Sequence, residues 1–486
     1  MEPLAPNSVD SFVADAVSRC RSVEQRARLL GQQEFASPNP SLLATLIARM
    51  AKALSVELIA LRGDYTDDPA NALIQIRFLD HFAKELGAHL RYIDGAKTTS
   101  LPWSITKPLE SLLARFVAQR TVMLRPQWKY NYTISTGDLG EYYREHLVPI
   151  LSATALDQLF TGFPRGFHIV SFPSIERKSA LLHCDLAHEL GHLIAEDYIR
   201  QESTEFVGLL SERVREHLTR LNESRTPKLE PLFLQVEVSE HIDRALQVRR
   251  RALEELVSDM FACKLLGPAA LFALHAVAMS FPLDLLPVSR SAYYPPWRMR
   301  LRLAIRVIAK AGLLPSQNST GHTFSSMDQL QDRTAAVLDE LNTAVAATSD
   351  VAKISSDWLV SLAYESVERA LPMAEAFVDG EHGAKFMFAE RLYAESYGLV
   401  DRLIEQIPPN ETGSGEETQP ASLEAILNAA WFYRIAFMPA PFEAGEIAEE
   451  FLEELETLNR LTLKAAEFAH LRTEYEAWTE RNAGLE

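Results

Sequence analysis

His188-Glu189-Leu190-Gly191-His192 and, further along, Glu255-Leu256-Val257-Ser258-Asp259 are the two stretches on which the reading of this chain turns. Residues four apart on a helix sit nearly above one another, so His188 and His192 can offer two imidazoles to one metal ion, with Glu189 beside them as a base. Such a site needs a third protein ligand and an open position for water. Glu255 is the best candidate, because Asp259, one turn further on, can accept the N–H of a ligand histidine and fix its ring. The run Glu176-Arg177-Lys178-Ser179-Ala180-Leu181-Leu182-His183-Cys184-Asp185-Leu186-Ala187 lacks Gly and Pro, which predicts helix leading into the first stretch.

Neighbouring residues compete for roles in this chemistry. Cys184 lies one turn before His188 and Asp185 three residues before it, so either could approach the metal, although both read more simply as parts of the helix. Glu254 is the rival third ligand, but its i+4 neighbour is Ser258, a poorer support than Asp259. His241 is too far along the chain, and Tyr198 stands where a third histidine of the longer HExxHxxGxxH pattern would fall. Arg249-Arg250-Arg251 could guide an acidic substrate, but with Arg251 four residues from Glu255 the run reads more simply as a solvated helix face.

With 486 residues and 47% apolar side chains, the chain can build large cores. Its net charge of -18 argues against a general nucleic-acid binder, which must concentrate Lys and Arg against phosphates. Only Cys20, Cys184 and Cys263 are present, too scattered for a disulfide framework; with no basic-then-apolar start, a cytoplasmic setting is the simplest expectation. The apolar stretch 265–288 is broken by Gly267, Pro268, Pro282, Asp284 and Pro287, so it reads as a core helix, not a membrane span.

Apolar residues at three-to-four spacing predict helices over 8–30, 40–62, 70–92 and 106–121, a helical bundle occupying 1–121. Strand formers appear over 122–134 and 167–172 alone. The segment 202–222 and a run from Pro231 to Leu266, about 54 Å long as a helix, predict a projecting hairpin inserted at 199–250 between the two halves of the site. Helices follow over 296–311, 324–348, 353–376 and 384–406, within a C-terminal helical region 313–486. Its stretch 407–421 reads as a flexible loop. A long acidic helix from Glu443 to about Asn482 carries an irregular stripe of Ile447, Phe451, Leu452, Leu455, Leu458, Leu461 and Leu463, a surface for the bundle or for a protein partner.

His188-Glu189-Leu190-Gly191-His192 followed by Glu255-x-x-x-Asp259 resembles the gluzincin metallopeptidases. The run Glu255 to Pro268 is similar to the corresponding helix of ImmA/IrrE-type proteases, and Ser291-Ala292-Tyr293-Tyr294-Pro295-Pro296-Trp297-Arg298-Met299-Arg300 is similar to a segment of HtpX-like and CAAX-prenyl-protease-like enzymes. The resemblance covers about 165–305. It implies one Zn2+ per chain held by His188, His192 and Glu255, Glu189 as general base, Arg300 near the site, and Tyr294 or Arg300 as donor to the oxyanion. Tyr294 stands where the membrane peptidases carry histidine. The expected architecture is mainly α with a small β-sheet, a zincin-like core over 122–312 set among helical bundles. The expected activity is zinc-dependent hydrolysis of a peptide or protein substrate; the alternative is a regulatory or scaffold protein that keeps a zinc-bound core without cleaving.

Overall fold

The computed structural model describes residues 6–483 apart from 66–67, 136, 203, 291–293, 314–324, 346–350, 414–416 and 444. It is mainly helical, with sheets of only two or three strands. The chain divides into two compact units, Met1–Arg177 and Lys178–Glu486, so the strand-forming segments 121–134 and 167–173 group with the N-terminal helices and not with the helix that carries His188 and His192, where the sequence reading placed divisions at 121 and 312.

In the first unit, α1 (Pro6–Gly31), α2 (Asn39–Asp64) and α3 (Pro69–Gly95) pack by the apolar faces their spacing predicts. Leu43, Ile47, Met50 and Leu54 of α2 meet Ile76, Leu79, Phe82 and Leu86 of α3 in one core. Asp68 starts α3 by accepting from Asn71 N, with Pro69 in the first turn. After α4 (Trp103–Phe116) come β1 (Thr121–Gln127), β2 (Thr133–Ile134), α5 (Leu139–Leu147), α6 (Ala153–Leu159) and β3 (Phe167–Pro173). β3 is the central strand, parallel to β1 from Thr121↔Phe167 to Gln127↔Pro173 and antiparallel to β2. Covered on both sides, it is buried along its whole length. The short helices α5 and α6 have no counterpart in the sequence reading. Asp138 explains α5: its Oδ1 accepts from Gly140 N at 2.8 Å to cap the helix and from Phe167 N at 3.1 Å, tying it to β3.

The second unit holds α7 (Asp185–Gln201), α8 (Thr204–Ser224), α9 (Pro231–Leu266), α10 (Pro268–Ala278), α11 (Trp297–Lys310), α12 (Ser325–Val345), α13 (Val351–Ile354), α14 (Trp358–His382), α15 (Ala389–Ile404), α16 (Leu423–Ala436) and α17 (Glu449–Ala483). α9 is the 36-residue helix expected, free of Gly and Pro beyond its first residue. It stops at Gly267, whose φ of 58° suits glycine. α10 is buried, and among the described residues no helix is long and apolar enough to cross a membrane.

Several expectations are revised. The run before the motif is not continuous helix: 3-10 turns at Ser174–Glu176 and Leu182–Cys184 precede α7, and Leu181 O is taken by Trp431 Nε1 at 3.2 Å. The α8–α9 hairpin does not stand alone. Leu210, Val214 and Leu218 of α8 share a core with Val238 and Ala245 of α9 and Leu359 of α14, and Trp358 stacks on His217 and His241. In the stretch 407–421, Glu411–Thr412 pairs with Gln419–Pro420 as a small hairpin; 414–416 lie outside the described residues. The expected tail helix begins later, at Glu449, because Phe442–Glu443 and Glu446–Ile447 form a second hairpin. α17 buries Leu458 of the expected stripe with Thr462, Ala465, Ala466 and Ala469, whereas Leu452 is exposed: mostly small side chains allow close packing on α16.

Candidate metal centre

α7 and α9 cross at the level of the two quoted stretches. A Cβ built on Gly191 would lie 2.6 Å from Ser258 Cα and 2.8 Å from Ser258 O, so only glycine permits this approach. Ser258 is fully buried, and its hydroxyl is satisfied by Glu254 O of its own helix at 2.6 Å. The crossing places one face of α7 against the turn of α9 that carries Glu255 and Asp259.

The structure brings His188, Glu189, His192, Glu255, Asp259 and Arg300 together. One ligand atom from each of His188, Glu189 and His192 lies within 4.8 Å of the others, and the two imidazoles stand at 85° with centroids 4.9 Å apart. Glu255 closes the triangle: its Oε2 is 3.4 Å from His188 Nε2 and its Oε1 is 3.8 Å from His192 Nε2. In a tetrahedron with bonds near 2.1 Å, ligand atoms stand about 3.4 Å apart, so these residues fit a small divalent cation in both spacing and chemistry. Asp259 Oδ1 lies 2.8 Å from His188 Nδ1, which leaves Nε2 facing the other donors.

Arg300 organises the acids. Its Nε and Nη2 reach Asp259 Oδ2 and Oδ1 at 2.8 and 2.9 Å, its Nη1 is 3.0 Å from Glu255 Oε2, and its plane rests 4.3 Å from the Trp297 ring centroid. This bidentate clamp is buried, so the guanidinium suggested as an oxyanion donor is committed to two carboxylates. Tyr294 is 55% exposed on the segment leading to α11, while Ser291, Ala292 and Tyr293 lie outside the described residues.

Burial and these neighbours set the protonation of the cluster. Burial pushes the Glu189 carboxyl up to about 8, with Glu255 and Asp185 adding to the shift and His188 and Arg300 opposing it. Burial would raise Glu255 too, but Arg300 and the two imidazoles hold it well below the usual carboxylate range. Burial would lower His188, yet Asp259 and Glu255 lift it to about 10; His192 falls to about 4 through burial, with His188 and Arg300 adding to the shift and Glu255 and Asp259 opposing it. Asp185, buried in the first turn of α7, is raised to about 7 by burial against the pull of His188 and Arg300.

The rival residues go elsewhere. Glu254 is held by Arg250 Nε and Arg251 Nη1, both at 2.9 Å, and turns away from the imidazoles. Arg249 is no solvated residue: it is buried, donates to Glu202 Oε2 at 2.7 Å and to Ser366 Oγ at 2.9 Å, and locks α9 to α14. Tyr198 joins that lock through Glu202 Oε1 at 3.1 Å and Ala370 O at 3.2 Å. Cys184 is sealed in the core, where burial raises its thiol far above the ordinary range. His241 stacks on Trp358 in the hairpin. Sequence reasoning missed Tyr364 of α14, a fully buried phenol within electrostatic reach of Glu255 and Arg300, whose hydroxyl has no hydrogen-bond partner among the described residues. No local pattern announces it, because α14 is brought to α9 by tertiary packing alone. No known family, curated protein or solved structure matches the chain, so the centre is characterised by its own geometry.

Proposed function

We propose that the protein is a zinc-dependent peptidase with His188, His192 and Glu255 as ligands and Glu189 as general base. The observation that carries this reading is the Glu255 carboxylate, delivered by a different helix to within 3.8 Å of both Nε2 atoms of the His188–His192 pair. A zinc ion bound there would lower the pKa of water toward neutrality and polarise the substrate carbonyl. With that cation favouring its ionised form, Glu189, one residue along α7 from His188, would take the proton of the attacking water and return it to the leaving amine. Asp259 holds the His188 ring by Nδ1, and Arg300 holds both Asp259 and Glu255. Tyr294 stays the proposed oxyanion donor, since a tyrosine hydroxyl can supply that hydrogen bond and Arg300 is otherwise engaged.

The test is metal content and cleavage of an unbiased peptide library, with wild type beside Glu255→Ala and Glu189→Gln. One zinc per chain, lost in Glu255→Ala, with cleavage falling about 10²- to 10⁴-fold in a metal-loaded Glu189→Gln, supports a peptidase. Stoichiometric zinc with no cleavage by wild type would favour the non-proteolytic scaffold, and absence of metal would overturn both readings.

A further inference from the structure

We propose that the recess between α12, α16 and the start of α17 is a binding site for a small organic carboxylate with an apolar body, gripped by Arg434 and Arg333. The recess has a volume of about 690 Å³ and is walled by Arg333, Arg434, Phe437, Met438, Pro441 and Phe451. That volume lies in the range of small-molecule pockets, roughly 300–1,000 Å³.

The two arginines indicate the charge of the occupant. Arg434 is half-buried, with its guanidinium carbon 5.0 Å from the Trp431 ring centroid, and no carboxylate among the described residues pairs with it. Arg249, Arg300, Arg213 and Arg472 of the same unit each hold a glutamate or aspartate. In a chain with 66 acidic and 48 basic residues, a partly desolvated guanidinium without an acid leaves a charge to be satisfied. Burial alone shifts Arg434, holding it below the ordinary arginine value. Arg333 stands at the same recess, donating to Ala436 O at 2.6 Å through Nη1.

The remaining wall indicates the body and the head group. Phe437, Met438 and Phe451 offer apolar surface, while Pro439 and Pro441 contribute no backbone N–H. An oxyanion there meets guanidinium donors and few amides, which suits the two oxygens of a carboxylate better than a phosphate dianion that requires more donors. The recess contains none of the proposed metal ligands, so its occupancy is separable from peptidase activity.

The experiment is calorimetric titration of the full chain with 4-phenylbutyrate, its neutral amide and inorganic phosphate. Saturable one-to-one binding of the acid, weakened about tenfold or more in Arg434→Met and less in Arg333→Gln, with the amide binding at least about tenfold more weakly, supports the site. It is overturned if the amide binds as tightly as the acid, if both variants bind like wild type, or if the acid shows no saturation up to about 10 mM. Tighter binding of phosphate than of the acid overturns the assignment of ligand class. Should Arg434→Met fail to melt cooperatively, Arg333→Gln decides, because that side chain is exposed and its loss leaves the core intact.

Discussion

A Cβ on Gly191 would meet Ser258 Cα at 2.6 Å, so α7 and α9 touch backbone to backbone beside His188, His192 and Glu255. Neither backbone can yield as a flexible side chain could. Gly191→Ala is expected to lower stability by about 3 kcal/mol, the upper range for overpacking, and to reduce bound zinc by parting the imidazoles from Glu255. Urea unfolding together with metal analysis checks this; an alanine variant with unchanged midpoint and unchanged metal would show that the helices do not cross so closely.

Asp259 is shared between His188 Nδ1 and the Arg300 fork. Asp259→Asn keeps the size of the side chain but removes the charge that faces a buried guanidinium. Zinc affinity should fall about 10- to 100-fold, read by competition with a chromogenic chelator, since the ring of His188 loses its anchor. Affinity equal to wild type would mean that Asp259 supports Arg300 only.

Asn428 bridges the end of α9 to the start of α10. Its Nδ2 donates to Leu266 O at 2.7 Å and its Oδ1 accepts from Ala269 N at 3.0 Å, all fully buried. Asn428→Ala strands both backbone groups, and a loss of about 2–4 kcal/mol is expected by chemical denaturation. A change below about 0.5 kcal/mol would show that water replaces the amide.

His89 of α3 lies with Nδ1 2.6 Å from the Tyr143 hydroxyl and stacks on Tyr92. Burial holds its pKa below the ordinary 6.5, with Glu85 opposing and Arg91 adding to the effect. Because the folded pKa is the lower one, the unfolded chain binds more protons between that value and 6.5, and stability falls as pH drops through this window. Melting temperatures of wild type and His89→Gln between pH 8 and 5 test the sign: the wild type should lose more stability on acidification, and parallel curves would exclude His89 as the source.

The α9 helix and its Glu255–Asp259 turn were legible because a Gly- and Pro-free run with clear stops specifies a helix locally. The pairing of Glu255 with the histidines was inferable from ligand chemistry, whereas the role of Arg300 was not: its clamp on Asp259 depends on how α11 packs against α9. The same holds for Arg249, which three consecutive arginines made look solvated until Glu202 and Ser366 supplied partners from α14 and the end of α7. α16 went unread because Asn428 and Glu424, both buried, interrupt its apolar pattern, and the backbone groups that Asn428 bonds, Leu266 O and Ala269 N, lie far away in sequence. Where α7 begins depended on Trp431, whose grip on Leu181 O no local propensity encodes.

A single unbroken helix carries both the second arm of the hairpin and the Glu255–Asp259 turn. Each residue added or removed within it would rotate everything on its far side by about 100° and shift it by about 1.5 Å. Length variation in this insertion is therefore quantised: it can grow or shrink in steps of about seven residues on each arm, two turns at a time, and otherwise only at the connection 225–230. Natural variants of the chain should show indels spaced in that rhythm, with the phase between Val238 or Ala245 and Glu255 preserved.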